Sequence, residues 1–128
     1  MITITNIRSA KPTDFDEIWA IVRSLKNRSE HMIQVSELSP SWNLFKTYLS
    51  LREQGKWNEQ SFAEIYRPQF EEQIANDPIA QAKIAELISK HNAGKSIALV
   101  CFCSDVTLCH RSIISEILTA RGIPHTLS

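Results

Sequence analysis

Alternating and continuous apolar runs predict the strands of this chain. The opening segment "MITITNI" places apolar side chains at alternate positions, which is typical of a strand with one buried face. Residues 97–103, "IALVCFC", are apolar on both faces and predict a central parallel strand. The later segment "IPHTL" contains Pro124 and predicts an edge strand, because proline cannot donate a ladder hydrogen bond.

Apolar residues at helical spacing predict the helices. A helix over 41–55 begins at a serine N-cap and ends at a glycine, and its two apolar stripes predict that it is well buried. Aromatic residues recur at helical spacing over 58–74, where Pro68 is expected to kink or break the helix near Arg67. A third helix over 77–94 has an aspartate cap, a proline at its first position and a terminal glycine. A last helix follows the central strand.

Two interpretations fit the segment between the first strand and the first helix. Thr13 would cap a helix with acidic residues in its first turn, whereas residues 18–22, "IWAIV", form a short β-rich run. Residues 24–37 are polar and are predicted to be a loop. The element order β-(β)-ααα-β-α-β predicts one α/β domain over residues 1–128, with a small, mostly parallel sheet flanked by helices.

Composition narrows the class of protein. The chain has 128 residues, of which 43% are hydrophobic and 22% charged, as in ordinary soluble domains. Fourteen basic and fourteen acidic residues give zero net charge, which argues against a general nucleic-acid binder. The sequence contains no apolar run of membrane-spanning length and no secretory signal, so a cytoplasmic protein without a membrane partner is predicted. Its three cysteines are expected to be free thiols.

Three consecutive residues with reactive or charged side chains follow the predicted central strand. The loop "SDVTL" leads into Cys109, His110 and Arg111 at the start of the last helix. Ligands of open α/β sheets collect beyond the carboxyl ends of strands, and a helix N-terminus favours an anion. Arg111 can bind phosphate or carboxylate through two parallel hydrogen bonds, and His110 can transfer a proton near neutral pH. Cys109 is expected to have a lowered pKa, so the turn predicts an anion-binding site with a thiol.

A purely structural interpretation of the same turn stays open. The cysteines of the strand can be small apolar residues of the core. Arg111 can pair with Asp105 or Glu116 in a surface contact, and His110 can bind a buried main-chain carbonyl.

Other chemistries are weighed for the three cysteines. A zinc site from Cys101, Cys103, Cys109 and His110 has suitable ligand atoms, but adjacent residues on a helix point about 100° apart, so no metal site is predicted. A tyrosine-phosphatase loop needs a cysteine, five residues and an arginine, and counting from Cys103 that arginine position holds Cys109. Cys103 and Cys109 remain a possible redox pair.

The stretch "ALVCFCSDVTLCHRSIISEIL" resembles the terminal block of the Domain of Unknown Function 488 family. That block has an apolar strand, a short acidic loop, Cys-His-Arg-Ser and a Leu/Ile-rich helix. Cys109, His110, Arg111 and Ser112 match the motif position by position. The segments "ELSPSWNLFKTYL" and "WNEQSFAEIYRPQF" are more weakly similar to the family, with Tyr66 on its tyrosine position.

The resemblance extends from about residue 15 onward and implies a small α/β domain. It favours a strand for residues 18–22, because "IWAIVRS" is similar to an early family strand that ends in arginine, here Arg23. It marks Arg23, Tyr66 and the Cys-His-Arg turn as the pocket, with two guanidinium groups as an anion clamp. Where the family often has a glutamate, this chain has "CFCSD", so Cys103 or Asp105 would take the carboxylate role. The family name implies no particular activity.

Three functional hypotheses follow. The first is an enzyme or binding domain for a small anionic molecule such as a nucleotide, with an acid/base histidine, a nucleophilic thiol and no cofactor. Its anion-binding residues would be Arg111, Arg23, Ser112, Tyr66 and Asp105, and its catalytic residues Cys109, His110 and Cys103. The second is a non-enzymatic module that binds nucleic acid or a protein. The third is a redox or metal role for the cysteines.

Overall fold

A computed structural model describes residues 1–25 and 31–128 of the chain. Its strands are β1 (Ile2–Asn6), β2 (Glu17–Ala20), β3 (Met32–Gln34), β4 (Ile97–Cys101) and β5 (His125–Leu127). Its helices are α1 (Trp42–Glu53), α2 (Glu59–Ser61), α3 (Arg67–Asn76), α4 (Pro78–Asn92) and α5 (His110–Ala120). A π-helical turn joins α2 to α3 over Phe62–Tyr66, and shorter 3-10 turns occupy Pro12–Asp14, Ser36–Leu38 and Val106–Leu108.

The sheet of the described residues is parallel throughout, with the strand order β3-β2-β4-β1-β5. β4 lies at its centre, and every residue of this strand is buried, as its continuous apolar sequence predicts. The register aligns Ile97 of β4 with Ile2 on one side and with Glu17 on the other. β5 pairs with β1 at the sheet edge that Pro124 predicts. The α/β class with a parallel sheet flanked by helices is confirmed.

The segment before the first helix forms a strand. β2 pairs with β4 from Glu17 to Ala20, which confirms the strand interpretation for residues 18–20, while Ile21 and Val22 lie just beyond its end. The alternative of a helix capped by Thr13 is wrong, because that residue lies within a 3-10 turn of three residues. The apolar run of this segment is explained by its burial as a strand, since β2 lies between β3 and β4 and is almost fully covered.

The loop predicted over residues 24–37 also contains regular structure. β3 pairs with β2 over Met32–Gln34, and a 3-10 turn follows at Ser36–Leu38, so the prediction of a loop is wrong there. This edge strand is short and only partly buried, so its sequence lacks the apolar alternation of a longer strand. Residues 26–30 of the predicted loop lie outside the described residues.

Helix boundaries follow the capping signals of the sequence. The Ser41 hydroxyl accepts a hydrogen bond from the Leu44 N–H at 3.2 Å, and the Asp77 carboxylate accepts one from the Ile79 N–H at 2.9 Å. After α4 the chain turns at Gly94, whose φ of +87° lies in the region that favours glycine. The predicted starts of α1 and α4 are therefore confirmed.

Helix α1 is less buried than its apolar stripes predict. Leu44 is buried, whereas Trp42 is 53% exposed and Leu49 is 43% exposed. One stripe faces the core and the other turns toward solvent, so the expectation of a well-buried helix is wrong. The exposed Trp42 stands near the site described below.

Pro68 leaves the chain helical. The N–H of Arg67 bonds to the carbonyl of Phe62, five residues earlier, in a π turn. This wider turn relieves the clash that a proline ring makes with the carbonyl four residues before it in an α-helix. The irregularity expected at Pro68 is therefore a π turn and not a break.

The core is formed by the sheet and by one face of each later helix. Phe70 and Ile74 of α3, Leu87 of α4, and Ile114 and Leu118 of α5 are all buried. No helix in the described part of the chain is long and apolar enough to cross a membrane. The cytoplasmic location stays a prediction.

Candidate functional site

Sulfur and imidazole atoms meet at the carboxyl end of the central strand. Cys101 ends β4, Cys103 lies in the following loop, and Cys109 and His110 stand at the start of α5. Cys109 is the N-cap and has an extended backbone with φ −127° and ψ 149°, whereas His110 is the first helical residue. The two adjacent side chains can therefore point to one place, unlike two helical residues about 100° apart.

We call these four side chains, Cys101, Cys103, Cys109 and His110, the Cys-His cluster. Cys109 Sγ lies 3.3 Å from Cys101 Sγ and 3.6 Å from Nδ1 of His110. The three sulfurs and a ring nitrogen all lie within 4.8 Å of one another, a separation at which they could hold a metal ion. Cys103 is half-buried and the other three residues are buried. The short sulfur–sulfur contact thus involves Cys101, and not the predicted redox pair of Cys103 and Cys109.

The orientation of His110 is fixed from its far side. Its Nε2 lies 2.8 Å from the main-chain oxygen of Ile21, just beyond the end of β2. Because a carbonyl only accepts hydrogen bonds, Nε2 carries a proton and Nδ1 faces the sulfurs. The ring of Phe70 packs beside the imidazole, with 5.7 Å between the ring centroids. A carbonyl contact of this kind is one that the structural interpretation of the turn anticipates.

Electrostatic coupling within the cluster shifts the pKa of three side chains. Burial opposes ionisation of Cys109, but hydrogen bonds from the other two thiols and the charge of His110 outweigh it and lower its pKa. Hydrogen bonds to Cys103 and Cys109, together with burial, raise the pKa of Cys101. Burial lowers the pKa of His110, but the negative charge of Cys109 prevails and raises it to about 10. These directions favour the ion pair of a Cys109 thiolate and a His110 imidazolium over the neutral thiol and imidazole.

A pocket of about 190 Å³ opens beside the cluster. Cys101, Cys103 and His110 belong to its lining, while Cys109 is 1% exposed and buried beneath them. The aromatic residues of the lining are Trp42, Phe45, Tyr48, Trp57, Tyr66 and Phe102. The pocket therefore joins aromatic walls to a floor of thiol and imidazole groups.

Edge-to-face packing holds the aromatic wall in place. The ring of Trp57 lies 4.7 Å from that of Tyr48 and 5.4 Å from that of Tyr66, measured between centroids, at steep interplanar angles. Tyr66 is also stacked on Phe62, at 5.5 Å. Burial is the main cause that raises the pKa of the Tyr66 hydroxyl, so this side chain stays neutral in the pocket.

Arg23 brings a positive charge to the pocket, as the resemblance implies. It belongs to the lining, and its Nε and Nη2 donate to the carbonyls of Pro40 at 3.1 Å and Ser39 at 3.3 Å. These contacts hold the guanidinium against the segment that precedes α1. The charge is therefore positioned by main-chain oxygens and faces the ligand space from the wall.

Arg111 occupies a different environment from Arg23. It is 1% exposed, and its Nη1 and Nη2 donate to main-chain oxygens of Ser128 at 2.7 Å and Cys103 at 2.9 Å. Its buried Nε has no hydrogen-bond partner among the residues that the structure describes. The structure thus does not bring the two arginines into a common clamp, and Arg111 is bound to the main chain outside the pocket lining.

Ser112 and Asp105 support the turn through the main chain. The Ser112 hydroxyl donates to the carbonyl of Cys109 at 2.8 Å, and the exposed Asp105 carboxylate accepts from the N–H of Thr107 at 3.0 Å. Both lie outside the pocket lining given by the described residues. Of the predicted site residues, Arg23, Tyr66, Cys103 and His110 share the pocket.

Sequence reasoning considers Cys101 only as a core residue or as a ligand of the zinc site that it sets aside, and it does not single out Trp57. Cys101 reads as a core residue, yet its spacing of two from Cys103 was the signal that both sulfurs could share one side of the strand end. Trp57 lies in a short connection before α2, at the start of the weakly similar segment "WNEQSFAEIYRPQF". Its position depends on how α1 packs against the π turn.

A family model matches most of the chain. The model described as "Active DUF488-N3 subclade" matches residues 4–122. No curated protein and no solved structure matches the chain. The matched range includes the whole Cys-His cluster and all the aromatic residues of the pocket.

Proposed function

Since the chain belongs to the Domain of Unknown Function 488 family, whose name specifies no activity, we propose its function from the pocket itself. The proposal is an enzyme that binds a small molecule with a planar ring and an anionic group, such as a nucleotide, and acts on it at the Cys-His cluster. The observation that carries it is the junction of aromatic walls and a thiol–imidazole floor in one pocket.

Aromatic side chains favour a planar ligand over an aliphatic one. Flat π faces stack on rings, and base–aromatic stacking contributes about 1–3 kcal/mol per base. Trp42 and Phe102 belong to the lining and are 53% and 51% exposed, so both rings offer accessible apolar surface to a ligand. The volume of about 190 Å³ suits a single ring system, since pockets for drug-sized ligands reach about 300–1,000 Å³.

The anionic group of the ligand would be recognised by Arg23. This residue supplies a guanidinium within the lining, whereas Arg111 is 1% exposed and lies outside the lining. The anion-binding role that the sequence assigns to Arg111 therefore passes to Arg23 in this proposal. A charge-assisted hydrogen bond of this kind contributes about 1.5–3 kcal/mol, which corresponds to roughly 10- to 100-fold in affinity.

The reacting groups would be Cys103 and His110. Both belong to the pocket lining, and Cys103 is the half-buried thiol of the cluster. Cys109 is buried at 1% exposure, so it would act on the ligand only through its neighbours. This assignment keeps the predicted thiol and acid/base chemistry but moves the nucleophile to Cys103.

Calorimetric titration with nucleosides and their 5′-monophosphates tests the proposal. We expect saturable binding of at least one base type, and tighter binding of its monophosphate than of its nucleoside. Arg23→Gln should weaken monophosphate binding by roughly 10-fold or more and leave nucleoside binding unchanged. Arg121→Gln, which changes an exposed arginine at the end of α5, is the matched control. Absence of binding by every base type at millimolar concentration would refute the proposal.

A further inference from the structure

We propose that the Cys-His cluster is a zinc site, in which the sulfurs of Cys101, Cys103 and Cys109 and Nδ1 of His110 bind one Zn²⁺. The convergence of three thiols and an imidazole within 4.8 Å carries this inference. It goes beyond the proposed function, because the metal can be bound whether or not the pocket takes a planar ligand. With zinc bound, His110 would be a ligand of the metal and not the acid/base group, and the metal-bound Cys103 thiolate would be the reacting group that faces the pocket.

The spacing of the cluster fits a tetrahedral ion. Zinc lies about 2.3 Å from thiolate sulfur and about 2.0–2.1 Å from imidazole nitrogen, so ligand atoms of a tetrahedral site are roughly 3.5–3.8 Å apart. The Cys101–Cys109 sulfur pair lies 3.3 Å apart, and Cys109 Sγ lies 3.6 Å from His110 Nδ1. Shifts of less than about 1 Å would bring all four atoms to zinc distances from a common centre, given their 4.8 Å limit.

The donor set selects the kind of metal. Three cysteines and one histidine form one of the common ligand sets of structural zinc. Thiolates are soft ligands that favour zinc over the hard cations magnesium and calcium, which take oxygen ligands. The closed set of four protein ligands is that of a structural site and would tie the end of β4 to the start of α5.

The main chain around the cluster already holds the ligands in place. Zinc-binding histidines usually donate their second N–H to a carbonyl or carboxylate, and Nε2 of His110 lies 2.8 Å from the oxygen of Ile21. The carbonyl of Cys103 accepts hydrogen bonds from Asn6 at 2.8 Å and from Arg111 at 2.9 Å. These bonds orient the half-buried ligand of the loop.

Arg111 also suits the charge of such a site. A zinc ion bound by three thiolates and a neutral imidazole carries net negative charge, which is costly in a buried position unless it is balanced. Arg111 is buried, and one of its nitrogens binds the main chain of the ligand Cys103. Its positive charge therefore lies beside the loop that the metal would hold. The arginine of the motif then has a function without touching the pocket.

The position of the ion follows from the burial of its ligands. Cys109 lies deepest, whereas Cys103 is half-buried and faces the pocket together with Cys101 and His110. The zinc ion would thus lie at the floor of the pocket. A thiol bound to zinc is deprotonated, so Cys103 would face the pocket as a metal-bound thiolate.

Metal analysis of the full chain tests the zinc site. Protein expressed with added zinc and purified under reducing conditions without a polyhistidine tag should retain one zinc per chain in native mass spectrometry. Replacement by Co²⁺ should give sulfur-to-cobalt charge-transfer absorption and the visible bands of a tetrahedral ion. Cys103→Ser should lose zinc to a chelator at least about 10-fold more readily than the wild type. That change removes a half-buried sulfur, so the variant is expected to fold.

Ser104→Ala is the matched control, because Ser104 is an exposed residue of the same loop. It should retain zinc as well as the wild type. The proposal is overturned if the reduced wild-type protein stays free of metal with excess Zn²⁺ or if the cobalt spectrum lacks sulfur charge transfer. A disulfide between Cys101 and Cys109 in protein purified with reductant would overturn it as well. These readouts do not involve nucleotide binding, so they separate failure of the zinc site from failure of the proposed function.

Discussion

Replacing Arg111 by alanine tests whether the arginine of the Cys-His-Arg turn stabilises the fold or binds a ligand. The side chain is 1% exposed, and its two terminal nitrogens donate to main-chain oxygens of Ser128 and Cys103. One oxygen follows the edge strand β5 and the other belongs to the loop after β4. The guanidinium therefore holds the chain after β5 against the loop after β4, which is a structural role and does not require a ligand.

The expected loss of stability can be worked out from these two bonds. A hydrogen bond from a charged donor contributes about 1.5–3 kcal/mol. The carbonyl of Cys103 keeps a second donor, the amide of Asn6 at 2.8 Å, so the lower figure applies there. The bond to Ser128 keeps the full range, so Arg111→Ala should lower the free energy of unfolding by about 3–4.5 kcal/mol. In a domain of this size that corresponds to a fall in Tm on the order of 10 °C.

Denaturant unfolding at pH 7, with every variant at the same zinc concentration, measures this loss. Arg121→Ala is the control, since Arg121 is an exposed arginine that bonds to Gln81, and its change should stay within about 0.5 kcal/mol. The reasoning is refuted if Arg111→Ala unfolds at the wild-type midpoint. A variant of normal stability that has lost monophosphate binding would return Arg111 to the anion-binding role.

Two further predictions concern the pH dependence and the backbone. Burial raises the pKa of Glu17, but hydrogen bonds from Lys90 and Trp19 prevail and hold it below its usual 4.5. The stability from this carboxylate is thus present above pH 4.5 and is lost as the pH falls through the lowered pKa. Glu17→Gln should therefore lower the free energy of unfolding by about 1 kcal/mol at pH 7 and by less near pH 3. An equal loss at both pH values in urea unfolding would contradict this prediction. Gly94→Ala should cost about 1–2 kcal/mol in the same assay, because φ is +87° and an added Cβ meets nothing within 4 Å that could offset the backbone strain.

The elements that could be predicted are those whose local sequence and tertiary environment agree. β4 is apolar on both faces because it is covered on both faces, and α4 has a cap, a first-turn proline and a terminal glycine at its ends. β3 has no such local signal, since it is a three-residue edge strand defined by its pairing with β2. The π turn at Phe62–Tyr66 likewise depends on how a proline is accommodated within a packed helix.

The candidate site could be predicted in its chemistry but not in its arrangement. The motif identifies atoms that the structure does bring together, since Cys109 and His110 belong to the Cys-His cluster. Which of them face a ligand depends on rotations at a helix start that sequence spacing does not fix. Cys109 has an extended backbone and Arg111 is directed into the main chain, so the predicted nucleophile and the predicted anion ligand both lie outside the pocket lining.

The strand order has a consequence for how the chain acquires its structure. Ile2 of β1 pairs with Ile97 of β4 and with His125 of β5, and β2 pairs on one side with β4. During synthesis β1 and β2 therefore cannot pair with β4 until residues 97–101 have been added to the chain. Contacts between residues so distant in sequence slow folding, because the chain loses the entropy of a long loop before the strand pairs add stabilising contacts. The Cys-His cluster joins the end of β4 to the start of α5, so it cannot form during synthesis until His110 has been added to the chain.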